Sequence, residues 1–361
     1  VILAQGWLRS SLRIRHRQLP RFLHSGAMDI NVNELEEDYL DLTDEIEMRL
    51  KHWKQTETAV FKSQIGGTGG AWGTQQLPAE ARDRAVNMFR EVLSQHSAAS
   101  ELPAVLTAFD ALGVKVLSRG GGLDEGSAKP QRAPTLSRGT LTCPMTLWAA
   151  VRVVLKCRAE NAFLTHFKFE APGEETENFW AGVSYREFVV CQVLDGRVRI
   201  ATPREWASQV LTRLNAMAKP SDRVSWALES LVLPSVNSWA DFITEKVAAT
   251  VKMPPRALAW GALVLGLTAA GLLLPGEACP NDFEAWEDSI LGMLERSRPG
   301  GAQDEPHAEV QCRRLTLREL AEAAMCDKQS FRREAFAAVT ALQVALKLLT
   351  PLHPQSDDLI G

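Results

Sequence analysis

The chain has 361 residues, 45% hydrophobic and 23% charged, which is enough to bury one large core or two smaller ones and too balanced for a disordered or fibrous protein. The net charge is −4, but residues 1–27 hold five arginines and no acid, so the remainder stands at −9 and disfavours nucleic acid as a partner. Six scattered cysteines form no C-x-x-C pair, no histidine stands at zinc-ligand spacing from them, and no secretory signal precedes them, a pattern of reduced intracellular thiols rather than a disulfide scaffold or zinc module.

Residues 1–27 have two readings. Leu8, Leu12, Leu19 and Leu23 fall near one helical face with Arg9, Arg13, Arg17 and Arg21 beside it, the composition of a mitochondrial transit peptide. The first methionine is Met28, and "VILAQG" resembles the translation of a spliced leader, so synthesis starting at Met28 is the other reading. Both set 1–27 apart from the folded body. The expected location is intracellular, and mitochondrial if the presequence is genuine.

An N-terminal helical domain is expected over 28–117. From Asn33 to about Gln64, Leu35, Leu42, Ile46 and Trp53 recur at near-heptad spacing, with Tyr39 and Leu50 filling the stripe. Acids crowd the first half and bases follow, which suits the helix dipole and supplies i,i+4 pairs such as Glu45–Arg49 and Glu47–Lys51. The stripe fits either a bundle core or a partner helix. "ELEEDYLDLTDEIEMRL" (Glu34 to Leu50) resembles the first helix of the N-terminal domain of v-SNARE proteins, which would imply a vesicle-trafficking adaptor. The long heptad motif that a SNARE carries before its tail anchor has no counterpart, so the family is not assigned. "IGGTGGAWGT" (Ile65 to Thr74) lacks the ending of a phosphate-binding loop and reads as a helix connection. Two helices follow, about Pro78 to Gln95 with Val86, Phe89, Val92 and Leu93 inward, and about Pro103 to Leu117 with Leu106, Phe109 and Leu112 inward. Residues 118–140, rich in Gly, Pro and Ser, read as a disordered linker.

The second domain, 141–350, is expected to be α+β, with a tail over 351–361. After a helix from about Pro144 to Cys157, "FLTHFKF" (Phe163 to Phe169), "NFWAGVSY" (Asn178 to Tyr185) and "EFVVCQVLDGRVRIAT" (Glu187 to Thr202) read as strands of a small antiparallel sheet. Asp195-Gly196 supplies a type I′ hairpin signal, because both turn positions need positive φ. "TPRE" then forms a capping box from Thr202 to Glu205, opening a helix with Trp206, Val210, Leu211 and Leu214 inward, and "TLRE" (Thr316 to Glu319) is a second one. Further helices are expected near Asp222–Leu233, Ser238–Val251 and Asn281–Arg296. A final stripe of Ala335, Val339, Leu342, Leu346 and Leu349 ends at Pro351. The overall class is therefore mostly α with a small β-sheet, an N-terminal helical hairpin or bundle leading to an α+β core that merges into helices.

Between them lies one strongly apolar helix, 257–274. "ALAWGALVLGLTAAGLLL" is apolar on every face, so lipid or protein must surround it. Trp260 sits near one end, as an interfacial aromatic would, and Ala262, Gly266 and Ala270 form a small-residue ridge for a close helix neighbour. Leu274 and the following Pro275-Gly276 make an ordinary helix stop. Both a membrane span and a buried helix remain open.

No hydrolase, P-loop or metallopeptidase motif is present, and His166 in its apparent strand beside Lys168 and Glu170 reads as a solvated face. No cofactor or metal is expected, and ten tryptophans against two tyrosines read as packing mass. The expected function is a non-enzymatic, membrane-anchored scaffold or assembly subunit that docks protein partners through its helical stripes. The alternative is a soluble α+β enzyme or ligand-binding protein with its pocket between the 163–202 sheet and the flanking helices.

Overall fold

The computed structural model describes residues 32–65, 79–96, 98–120, 136, 140–158, 176–217, 228, 232–247, 253–270, 272–273 and 314–349. The chain divides into two compact units, Val1–Asp41 and Leu42–Gly361. Of the first, residues 32–41 are described and are helical.

The described elements are helices: α1 (Val32–Ile65), α2 (Ala79–Gln95), a 3₁₀ turn (Ala99–Glu101), α3 (Leu102–Gly120), α4 (Pro144–Arg158), α5 (Thr176–Val193), α6 (Pro203–Met217), α7 (Leu233–Phe242) running into a π turn (Ile243–Val247), α8 (Pro255–Ala269), α9 (Leu317–Ala323) and α10 (Lys328–Leu349). Local sequence accounts for several boundaries. Thr202 and Thr316 each accept from the backbone N–H three residues on, while Glu205 and Glu319 reach back to the cap N–H, so both capping boxes form. The pairs Glu45–Arg49 and Glu47–Lys51 close at 2.6 and 2.7 Å on α1.

The described residues of the second unit form two hydrophobic clusters. One joins Val60 of α1 to α2, α3, α4 and α5, with Phe89 and Phe109 meeting edge to face. The other gathers Ile46 and Leu50 of α1 with α6, α7, α8, α9 and α10. A buried arginine ties the two together. Arg82 of α2 makes two bonds of 2.8 Å to the Asp110 carboxylate on α3, and also donates to the Thr244 and Glu245 carbonyls of the π turn at 2.9 and 2.8 Å. The π turn thus supplies two backbone carbonyls to a charged side chain from the other cluster.

No strand occurs among the described residues, which overturns the expected small antiparallel sheet and the α+β class. Asn178 to Tyr185 and Glu187 to Val193 lie on one continuous helix, α5. Val183, Val190, Val193 and Leu194 repeat at helical spacing and are buried against α3 and α4, so tertiary packing overrides the β-propensity of this Val- and Phe-rich run. Asp195 and Gly196 do adopt positive φ, +54° and +73°. They end a helix instead of turning a hairpin: the Gly196 N–H returns to the Cys191 carbonyl and the Asp195 N–H to that of Gln192, which is the Schellman pattern. Phe163 to Phe169 lies outside the described residues, as do residues 1–31, 281–296 and 351–361 and most of the 118–140 segment.

The apolar segment is likewise shorter than its run of uncharged residues. As a helix it covers Pro255–Ala269, 15 residues or roughly 22 Å, against about 30 Å of hydrocarbon. Beyond it the Leu272 and Leu273 N–H groups fold back onto the Leu267 carbonyl, and Leu315 bonds to the Leu272 carbonyl. No described helix is long and apolar enough to cross a membrane. Protein covers α8 on every side: Ala257 to Leu265, glycine aside, are at most 2% exposed. Two glycines permit the approach. A Cβ on Gly266 would stand 2.3 Å from a Val236 methyl of α7, and one on Gly261 would stand 2.8 Å from the Ala338 Cβ of α10. Gly266, the middle residue of the expected small-residue ridge, is therefore where α7 approaches.

Candidate functional site

The site is built on the start of α8. Pro254 is the N-cap and Pro255 the first helical residue, so neither offers a side-chain oxygen to the exposed N–H groups of the first turn. Glu57 of α1 supplies one from outside the helix, its Oε2 accepting the Arg256 N–H at 3.1 Å. The Arg256 side chain then turns to Glu334 of α10, with Nη2 3.0 Å from Oε1, while its Nε stands 3.8 Å from Glu57 Oε1. The Trp260 indole N–H donates to the other Glu334 oxygen at 3.1 Å. Trp260 is itself enclosed by Trp206, edge to face at 6.0 Å, and by Phe331 at 5.3 Å.

Two carboxyls thus share one guanidinium in a poorly solvated place. Burial pushes the Glu57 carboxyl up to about 7, with the Arg256 cation and N–H only partly offsetting it and Glu334 adding to it. Arg256 is held above its ordinary value by Glu57 and Glu334, although burial works against it. Burial, and then the Glu334 charge, push the Cys326 thiol up to about 12. That thiol is not a thiolate at neutral pH and is a poor nucleophile.

Above this cluster opens a groove of about 690 Å³. One wall is α1, with Glu47, Leu50, Lys51 and Lys54. The facing wall is the end of α9, the turn that follows and the start of α10, with Glu322, Met325, Asp327 and Ser330. Trp206 and Ala324 lie buried beneath it, and Arg213 and Arg256 close it. The two walls differ in sign: the α1 wall presents two lysines and the opposite wall three acids, Glu322, Asp327 and Glu334. Glu47 neutralises part of the basic side, its carboxyl held below the ordinary range first by the Lys51 hydrogen bond. Arg213 of α6 spans the walls. Its Nη1 donates to the Glu322 and Ala323 carbonyls at 2.8 and 3.2 Å, and its Nη2 lies 3.4 Å from Glu47. These carbonyls end α9, so the cation also meets the negative end of that helix.

The turn at the groove rim is strained. Met325 has φ +54° at the position after the α9 cap, where glycine is usual, and its N–H and that of Cys326 return to the Glu322 and Ala321 carbonyls. A long side chain in this conformation costs about 1 kcal/mol or more, and such strain is found disproportionately at binding and switch sites.

Among the described residues no histidine lines the groove, and the thiol of Cys326 is protonated. Among the described residues no three metal-ligating side chains come together.

Of the residues singled out from sequence, Ala257, Trp260, Ala262 and Gly266 lie on α8, and the first three are fully buried. Ala270 packs on the same core, and Leu274 lies outside the described residues. In the partner-helix stripe, Ile46, Val339 and Leu342 are buried in the α6–α10 core, and Trp53 packs edge to face on Trp206 at 5.4 Å. Leu35, Leu42 and Leu346 stand on α1 and α10, their side chains outside the described residues, and His166 lies outside them altogether. The structure places Trp260, fully buried, beside residues that sequence reasoning did not single out: Glu57, Arg256 and Glu334. One signal for them was legible. A Pro-Pro start leaves a buried helix without a side-chain cap, which requires an acceptor from elsewhere in the chain.

Comparison with family models, with curated proteins and with solved structures finds no match. The resemblance to v-SNARE proteins is confined to Glu34 to Leu50.

Proposed function

We propose that this chain is a non-enzymatic helical docking protein whose groove between α1 and the α9–α10 turn takes a short segment of a protein partner. The observation behind this reading is the groove's construction, a trough between a basic wall and an acidic one. Such a trough suits a segment with opposite charges along its two edges. The membrane anchor drops out of this reading, since α8 is the interior of the bundle rather than a span. The docking element also shifts from helical stripes, whose described members Ile46, Trp53, Val339 and Leu342 pack inside the protein, to the groove.

A displayed random-peptide library selected against the full chain tests the reading. Selected peptides should compete with one another, carry an acidic residue, and lose at least tenfold in affinity on Lys51→Glu with Lys54→Glu, while Glu91→Lys on the far helix α2 leaves them unchanged. If selected peptides bind the charge-reversed protein as well as the original, the groove is not the docking site.

A second reading has one observation in its favour. The volume of about 690 Å³ lies within the range of small-molecule pockets, roughly 300–1,000 Å³, so a small zwitterion is the other occupant. Peptides that a panel of amino-acid-sized zwitterions displaces would decide for it.

A further inference from the structure

Beside the groove, whose lining includes Arg256 and Glu334, lies a charge imbalance. Glu57, Arg256 and Glu334 bring two acids to one guanidinium, and Glu57 is 5% exposed. A buried net negative charge is expensive, so the cluster favours keeping one proton. The hydrogen bonds say where it sits. Glu334 accepts from both the Arg256 guanidinium at 3.0 Å and the Trp260 indole at 3.1 Å, the environment of an ionised carboxylate. Glu57 accepts one backbone N–H, and the guanidinium stands farther off, at 3.8 Å. This is the arrangement of a neutral Glu57 beside a charged Arg256–Glu334 pair.

We propose that Glu57, Arg256 and Glu334 form a proton-operated clamp on the groove: with Glu57 neutral the guanidinium belongs to Glu334 and the groove wall, and with Glu57 charged it is drawn back toward α1. The groups facing the clamp are Arg256 from α8, Glu334 from α10, Lys54 from α1 itself, and Cys326 from the α9–α10 turn, whose thiol stays protonated. Arg256 is held above its ordinary value and the Cys326 thiol keeps its proton, which leaves Glu57 as the operating group. Its burial places the transition at about 7. For the groove this means that an acidic group is held better below the transition than above it, a consequence that rests on the docking reading. The clamp itself does not.

The test needs no ligand, so its failure is separate from failure of the docking reading. The indole N–H resonance of Trp260 in the full chain, assigned by Trp260→Phe, is followed from about pH 5.5 to 8.5, because that N–H bonds to Glu334 and senses how Arg256 divides its charge. The expected result is one step with its midpoint near 7 that is absent in Glu57→Gln. In Glu334→Gln the lone guanidinium turns to Glu57, and the midpoint falls by about one pH unit or more. This second variant decides the matter if Glu57→Gln does not fold. A resonance that stays flat in the parent protein, a step that persists in Glu57→Gln, or an unmoved midpoint in Glu334→Gln overturns the clamp.

Discussion

Replacing Glu57 by Gln should make the protein more stable at neutral and alkaline pH and remove a specific part of its pH dependence. In the unfolded chain Glu57 ionises at its ordinary value of 4.5, and in the folded protein at about 7. Between those values the folded state holds a proton that the unfolded state has released. Stability contributed by Glu57 is therefore complete below about 4.5 and falls as pH rises, levelling off above about 7. At about 1.36 kcal/mol per pH unit the interval amounts to about 3 kcal/mol. Glutamine keeps an oxygen to accept the Arg256 N–H, so the α8 cap survives while the buried charge is gone. Urea unfolding at several values from about pH 4.5 to 8.5 supplies the test. The difference, variant minus parent, should rise by about 3 kcal/mol across that range and then flatten. Parallel curves would refute the reasoning, since they would mean that Glu57 ionises alike in both states and that Arg256 fully compensates its burial.

Three further outcomes follow from the packing. Arg82→Met should cost about 3 kcal/mol or more in chemical unfolding, because it strands Asp110 and the π-turn carbonyls, and adding Asp110→Leu should recover part of the loss. Gly266→Ala should lower stability by about 1–3 kcal/mol, measured the same way, since its methyl would stand 2.3 Å from a stiff valine that cannot swing aside. Met325→Gly should raise the thermal midpoint, relieving a positive φ at a cost of about 1 kcal/mol, provided the methionine side chain contributes less than that to the core it packs on.

How much of this was legible in the sequence depended on whether a signal was local. The capping boxes at Thr202 and Thr316 and the inward faces of α2, α3 and α6 follow from residues within one or two turns, and they are found as read. Asp195-Gly196 shows the limit of such signals. It states that two residues take positive φ, and that requirement is common to a hairpin turn and to a Schellman helix end. Only the partner of Val190 and Val193 decides between them, and that partner is a helix more than thirty residues earlier in the chain, α4. Hydropathy has the same limit in the apolar segment. It requires cover on every face without naming the cover, and α6, α7 and α10 provide it.

The groove was hidden for a further reason. Its residues come from α1, α6, α8, α9, α10 and the turn between the last two, and each is unremarkable in its own neighbourhood. Lys51 and Lys54 look like the solvated face of a charged helix. Arg256 looks like a flank of the apolar run, and Glu334 like one more acid on an amphipathic helix. Their function depends on what α8 lacks. An apolar helix that begins Pro-Pro has unsatisfied N–H groups at its buried start, and whichever carboxylate satisfies them is removed from water. That removal is what lifts Glu57 into the neutral range and obliges Arg256 to serve two acids. The most apolar segment of the chain is thus the physical origin of its most polar feature. The Arg256 N–H and cation are what offset the burial of Glu57, so its pH response should strengthen if α8 is given its own cap, and Pro254→Asp is the direct trial. With a carboxylate at the N-cap taking over an N–H of the first turn and a new anion competing for Arg256, unfolding at about pH 8 and about pH 5 should show which acid α8 holds. A pH dependence identical to the parent's would mean that the α8 start does not control Glu57.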